Sequence, residues 1–166
     1  SPFYRLCIYS RNRMGHAFEC SECGNPRLMM GHCLHCSSAS LPSVLVDAIE
    51  LNIKRGMPTV EVALDTLTEY LRAAHDLNIK AIILIHGYGS SGEGGHIKRA
   101  IHEALELNRY ADRVDEYFYG ENVPYGGPAY HELMKKRPSL KQYLRHFKAS
   151  NAGMTVLLLG SSYRSA

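Results

Sequence analysis

No apolar run in this 166-residue sequence approaches the roughly 20 residues that cross a bilayer. That excludes a helical membrane span and sets the expectation of a cytoplasmic protein with no membrane partner. The opening Ser-Pro-Phe-Tyr-Arg lacks the basic, apolar and small-residue zones of a secretory leader. The absence of a starting Met is what a piece of a longer protein would show. No Gly-Lys-Ser/Thr follows the glycine-rich stretch near residue 90, so the chain has no P-loop. Internal repeats and low-complexity segments are missing too. Acid is scarce in one place. Between His131 and Lys148, Glu132 stands alone against Lys135, Lys136, Arg137, Lys141, Arg145 and Lys148, with Tyr130, Tyr143 and Phe147 interleaved. Such a run is either a solvated basic face or a phosphate-backbone contact surface with stacking aromatics. Net charge is only +3, so the distribution carries more information than the total.

Cysteine is sparse but patterned. Four of the five cysteines form Cys20-x2-Cys23 and Cys33-x2-Cys36, and Cys7 stands apart. An odd count with two close pairs suits a metal site in a reducing compartment rather than a disulfide framework. Four thiolates give zinc a closed tetrahedral cage, hence a structural Zn2+ and no catalysis at that metal. His16, His32 and His35 lie nearby but are not needed as ligands. Residues 1–40 are expected to be a zinc ribbon, with Phe3–Tyr9 as a strand, Arg11–Gly15 as a turn, and metal supplying much of the folding energy. Ribbons of this kind bind nucleic acid, ribosomal RNA or protein.

Residues 37–43 read as a linker, and a larger domain is expected over 44–162, with a basic insertion at about 120–150. Asp47–Ile53 alternates as a strand, although the stretch from Leu41 also suits a helix with Pro42 in its first turn. A helix opens at Pro58-Thr59, with Val60, Leu64, Leu67, Leu71 and Ala74 on one face and Asn78 as its stop. Ala81–Ile85 is a strand covered on both sides. A second helix runs from Gly95 to Asn108 with Ile97, Ile101, Ala104 and Leu105 inward, and Val114–Tyr119 alternates as a strand. One helix is expected near Ser139–Lys148 and a last apolar strand at Met154–Leu159. The order is β-α-β-α-β-insertion-β.

The strand Ile82–Ile85 ends in His86-Gly87-Tyr88-Gly89, followed by more glycine and a helix that opens with Lys98-Arg99. Glycine-rich backbone can approach an anion, and phosphate is the usual one. Gly87-x-Gly89-x-x-Gly92 matches the dinucleotide-binding expression, and Asp112 lies 20 residues further on. Yet Gly94-Gly95 prolong the loop where that fingerprint needs a helix, and Asp112 precedes a strand instead of ending one.

The run Ile85-His86-Gly87-Tyr88-Gly89 with Ile97-Lys98-Arg99-Ala100-Ile101 resembles the Ile-His-Gly-x-Gly…Leu-Arg pattern of Smr (small MutS-related) domains. Glu50–Leu64 resembles that family's opening strand, glycine and helix, and Asn151-Ala152-Gly153-Met154-Thr155-Val156-Leu157-Leu158-Leu159 its closing Gly-x-Thr-Val-x-Leu strand. The resemblance covers roughly 47–160. It implies a two-layer α/β sandwich with a mixed four-stranded sheet, similar to the C-terminal domain of translation initiation factor three. It also implies nucleic-acid binding, with some members cutting RNA or nicking DNA and some acting on stalled ribosomes. Cleaving members often carry Leu-Asp-Leu-His in the opening strand, where this chain has Leu51-Asn52-Ile53-Lys54.

The candidate nucleic-acid contacts are therefore Asn52, Lys54, Arg55, His86, Gly87, Tyr88, Gly89, Gly92, Lys98, Arg99, Lys135, Lys136 and Arg137. His86 is the candidate catalytic residue, as base or acid toward an RNA 2′-OH, with Lys54, Lys98 and Arg99 stabilising charge. A histidine that merely braces the loop competes with that role. Asn52 cannot act as a base. A Mg2+- or Mn2+-dependent cut would draw on Asp47, Glu50 and Glu93, which nothing in the sequence brings together. His75, His96 and His102 read as surface or helix residues. Three functions stay open: an RNA- or ribosome-binding endonuclease, a non-catalytic adaptor, and a nucleotide-binding enzyme using the glycine loop.

Overall fold

A computed structural model describes residues 17–88, 95–148 and 151–160. The expected Phe3–Tyr9 strand and Arg11–Gly15 turn, and Cys7, His16, Gly89, Gly92 and Glu93, lie outside the described residues. Strand β1 (Phe18–Glu19) pairs antiparallel with β2 (Ser43–Val44). The stretch from Leu41 is therefore extended rather than helical, and Ser43 pairs back onto the cysteine unit instead of ending a linker.

The main sheet has the order β3-β4-β6-β5, with β3 at Ala48–Asn52, β4 at Ala81–Ile85, β5 at Val114–Tyr119 and β6 at Met154–Leu159. β3 pairs parallel with β4, and β6 runs antiparallel to both β4 and β5. The carboxyl ends of β3, β4 and β5 thus share one edge of the sheet, where ligands of open α/β sheets collect. β4 and β6 are central and buried on both faces, which is why they read as unbroken apolar runs.

Helix α1 (Val60–Asp76) starts where the Thr59 hydroxyl accepts the Val62 N–H, 3.2 Å away. It ends just before Asn78, whose φ of 58° is the left-handed stop expected of it. Its buried stripe is Ala63, Thr66, Leu67, Tyr70, Leu71 and Ala74. This is rotated slightly from the apolar count, because Tyr70 reaches the core and Thr66 satisfies its hydroxyl on the Val62 carbonyl. Helix α2 (His96–Glu106) buries Ile101, Ala104 and Leu105 as expected, with Ile97 partly covered. Both helices cover one face of the sheet, and Ala17, Phe18 and Met29 of the cysteine unit join the same apolar cluster.

The other face carries a further layer. The expectation of one helix near Ser139–Lys148 needs correction. The longest helix there is α3 (Pro128–Lys136), followed by a 3-10 turn (Pro138–Tyr143) and a short α4 (Leu144–Phe147). Pro128 is at the first helical position, where its missing N–H costs nothing. Tyr130, Leu133, Met134, Leu140, Tyr143 and Phe147 pack on Ala48, Ala81, Ile83, Val156 and Leu158. The aromatics of the basic run are therefore core residues. They face the sheet, not a ligand. No helix among the described residues is long and apolar enough to cross a membrane.

Candidate nucleic-acid interface and metal centre

The four cysteines converge. Their sulfurs all lie within 4.8 Å of one another, with Cys20–Cys36 at 3.6 Å and Cys23–Cys33 at 3.7 Å. A tetrahedral site with Zn–S near 2.3 Å needs sulfurs about 3.8 Å apart, so the donor set and its spacing fit zinc. Each pair sits on a tight turn. The Glu22 N–H points at the Cys20 sulfur and the His35 N–H at the Cys33 sulfur, both at 3.4 Å. Backbone N–H groups of Cys23 and Glu22 draw the Cys20 thiol down to about 6, toward the thiolate a metal takes. Arg27 ties the unit together, donating to the carbonyls of Leu28 and Ser40 at 3.0 and 2.8 Å.

The second centre lies at the carboxyl edge of the sheet. His86 follows β4 and is 4% exposed. Its Nδ1–H donates to the Gly87 carbonyl at 2.7 Å, and its Nε2 accepts the Thr155 hydroxyl at 2.8 Å. Thr155 itself is fully buried on β6. Burial drives the imidazole down to about 4, and neighbouring His102 and Lys98 push the same way. His86 is thus a neutral ring with both nitrogens occupied. It braces the loop and has no free lone pair to take a proton from a ligand.

The loop is also held from below. The N–H groups of His86 and Gly87 both reach the Gly153 carbonyl at 3.0 Å. A Cβ on Gly153 would sit 3.1 Å from the Tyr88 ring and 3.4 Å from the Gly87 Cα, so glycine lets these segments approach closely. Tyr88 rests there with 59% of its surface exposed. The stem of Lys54 lies over Gly87, its Cδ 3.1 Å from where a Gly87 Cβ would stand. Asn52 turns the chain at the end of β3 by accepting the Lys54 N–H at 3.1 Å. Arg55 is exposed just beyond, and so is Met57, 92% exposed at a φ of 50°. Lys98 and Arg99 enter from the first turn of α2. Arg99 caps back onto the Gly95 carbonyl and onto His96. Lys98 pairs with Glu121 at 3.4 Å, which offsets the helix-dipole penalty on a cation placed there.

Several residues at this edge are not apparent from the sequence. His102 is a helix residue, as expected, but it is half-buried on α2. It stacks on Tyr119 at 3.7 Å between centroids and stands edge-on to His86 at 5.7 Å. Its Nε2 is buried without a hydrogen-bond partner among the described residues. Tyr119 donates its hydroxyl to Glu106 at 2.7 Å. Thr155 and Glu121 complete the set. The one usable signal is helical spacing, which puts His102 a turn after Lys98.

The structure separates the basic run from this edge. Lys136 pairs with Glu116 at 2.9 Å. Arg137 donates to the carbonyls of Lys80 and Leu159, both at 3.3 Å, at the amino end of β4. Lys135, Lys136 and Arg137 therefore sit at the end of the sheet opposite His86. Of the carboxylates considered for a second metal, Asp47 and Glu50 are each held by other partners, and Glu93 lies outside the described residues. Asp47 accepts the Ser139 hydroxyl, and Glu50 is clamped by Arg145 and His146 at 2.6 and 3.1 Å. Burial works to raise Glu50, and the His146 and Arg145 partners overcome it, leaving the carboxyl below its ordinary value.

Residues 55–124 match the Smr domain family model. No curated protein and no solved structure matches the chain. The matched stretch holds α1, β4, the glycine loop, α2 and β5. It therefore covers the elements that build the carboxyl edge of the sheet, apart from Lys54 with the end of β3 and the Gly153–Thr155 floor. Residues 55–124 thus match the Smr domain model, and a four-cysteine cluster with the geometry of a zinc site precedes them.

Proposed function

We propose that this protein binds RNA at the carboxyl edge of its sheet, with structured or ribosomal RNA as the target class. The observation that carries the reading is the exposed Tyr88 ring, braced on Gly153 and flanked by Lys54 on the loop side. A rigid aromatic with a free face takes an unpaired base, and the cations beside it take the backbone phosphates. The His86–Thr155 and His86–Gly87 bonds fix the backbone that leads into Tyr88, which lowers the ordering cost at that residue. The match to the Smr domain supports the same reading. The four-cysteine unit holds structural zinc and shares a core with α1 and α2, so it steadies the domain as well as offering a second surface.

The occupied nitrogens of His86 favour an adaptor over an enzyme that uses this histidine as base or acid. A nucleotide enzyme has less support, because Gly94-Gly95 prolong the loop where the dinucleotide fingerprint needs a helix, and Asp112 precedes a strand instead of ending one. Fluorescence anisotropy with an end-labelled hairpin RNA tests the proposal. Tyr88→Ala is expected to weaken binding about 5- to 100-fold, the range of one base–aromatic stack. Unchanged affinity in Tyr88→Ala and Lys54→Ala would place the RNA elsewhere.

A further inference from the structure

The chain beyond β5 presents a second exposed aromatic. Pro124-Tyr125-Gly126-Gly127 is a tight turn, closed by the Gly127 N–H on the Pro124 carbonyl at 3.0 Å. Gly126 has a φ of 80°, the left-handed value that the third position of a type II turn needs. Tyr125 stands at the second position of this turn and is 55% exposed. Its ring makes a T-shaped contact with Tyr130 at 5.2 Å between centroids, and Tyr130 makes another with Phe147 at 5.4 Å. Tyr130 and Phe147 are buried against the second face of the sheet. The Tyr125 N–H donates to the Phe147 carbonyl at 2.9 Å. Tyr125 is thus anchored through its backbone and one ring contact, and the rest of the ring is open to solvent.

The fold sets this ring near Tyr88. The Phe147 carbonyl that Tyr125 bonds belongs to the peptide leading into Lys148, which is exposed, so the ring and a cation start from adjoining backbone. Asn151 lies four residues past Phe147, at most about 14 Å of chain away. Two loops meet at Asn151. Its carbonyl is 1.9 Å from where a Gly120 Cβ would stand, which draws in the turn that leads to Tyr125. Its side-chain oxygen accepts the Gly153 N–H at 2.9 Å, and Gly153 is the floor under Tyr88. Tyr125 and Lys148 both lie beyond the stretch that matches the Smr model.

We propose that Tyr125 is a second base-stacking position, and that the protein takes a single-stranded stretch of RNA running from Tyr88 over the Asn151–Gly153 floor to Tyr125, with Lys148 on a backbone phosphate. This rests on the RNA-binding reading above and names the form of RNA that the site accepts. An unpaired base offers a face to each ring, whereas a duplex hides its base faces in its own stack. Two fixed platforms a few nucleotides apart therefore select unpaired RNA by its length, and the loop of a hairpin supplies such a stretch. Stacking reads every base by the same kind of face, so the selection is for an open strand more than for a sequence.

The test is fluorescence anisotropy of the full chain with 5′-labelled oligouridylates of increasing length, beside a duplex RNA. Wild type is expected to tighten in two stages, first when one base is held and again when the strand is long enough to reach both rings. Tyr125→Ala should lose the second stage, weakening the longest strand about 5- to 100-fold and leaving the shortest strand that binds unchanged. Tyr125→Phe keeps the ring and should bind as wild type does. Tyr88→Ala should weaken every length. Lys148→Ala should lower the salt slope for the longest strand by about 0.7 unit. Equal affinity of wild type and Tyr125→Ala for the longest strand overturns this inference, and a weakened Tyr88→Ala beside it leaves the binding reading standing. An equal loss in Tyr125→Ala at every length also overturns it, because a second position cannot touch a strand too short to reach it. Tighter binding of the duplex than of the longest single strand overturns it as well. Failure of wild type to bind any of these RNAs overturns the binding reading on which it depends. Equal urea midpoints for wild type and Tyr125→Ala show that a lost affinity is not a lost fold.

Discussion

Acid should unfold this domain through His86. The ring is 4% exposed and its folded pKa is about 4, whereas a free histidine titrates near 6.5. Above pH 6.5 both states are neutral and the group adds no pH dependence. As pH falls below 6.5 the unfolded chain binds a proton that the folded chain refuses, so stability falls toward pH 4. The slope is about 1.4 kcal/mol per pH unit, and the full loss across the window is about 3 kcal/mol. His102, also held below its ordinary value by burial and by Lys98, shifts stability in the same direction. Urea unfolding at pH 7.5, 6.5, 5.5 and 4.5 measures the slope, and a parallel series on His86→Gln isolates the part due to this ring. Zinc thiolates protonate in the same range, but that contribution is common to both proteins and cancels. The variant is expected to be less stable at pH 7.5 and to lose about 2 kcal/mol less between pH 6.5 and 4.5. Parallel pH profiles for wild type and variant would refute the buried, neutral histidine.

Three further outcomes follow from named contacts. Treatment with a zinc chelator, or Cys33→Ser, should loosen the main sheet and its helices as well as the cysteine unit, because Phe18, Ala17 and Met29 share their core; a thermal melt should drop by several degrees at least, and an unchanged melt would uncouple the two. Gly120→Ala should cost about 1–3 kcal/mol by urea unfolding, since its methyl would overlap the Asn151 carbonyl. Arg137→Ala should destabilise by about 1–2 kcal/mol by removing two hydrogen bonds to sheet carbonyls, while RNA affinity by anisotropy stays within about twofold.

Local patterns are legible in the sequence and long-range ones are not. The strands of the main sheet, α1 and α2 follow from apolar spacing and from Thr59 and Asn78 at the ends of α1. The cysteine cluster follows from pair spacing alone. The layer over the second face is harder to read, because its charge masks its period. Tyr130, Leu133 and Met134 repeat at helical spacing, and Gly127-Pro128 is a helix-start signal. Grouping Lys135, Lys136 and Arg137 into one surface with the glycine loop fails for a topological reason. The chain reaches them only after β5 has crossed the sheet and the chain has turned back along its other face, which puts them beside the amino end of β4. The pairing of His86 with Thr155 spans 69 residues and needs β4 and β6 to be neighbours, which spacing in one sequence does not reveal. The same holds for His102 on Tyr119 and for Lys98 against Glu121.

The salt dependence of RNA affinity in wild type, Lys54→Ala and Lys136→Ala tests the central claim most directly. Removing a side chain that neutralises one phosphate lowers the slope of log K against log salt by somewhat under one unit. With RNA on the carboxyl edge of the sheet, Lys54→Ala should flatten the slope by that amount and Lys136→Ala should leave it unchanged. The reverse pattern, with Lys136 carrying the slope and Lys54 silent, would put the RNA at the other end of the sheet and contradict the account.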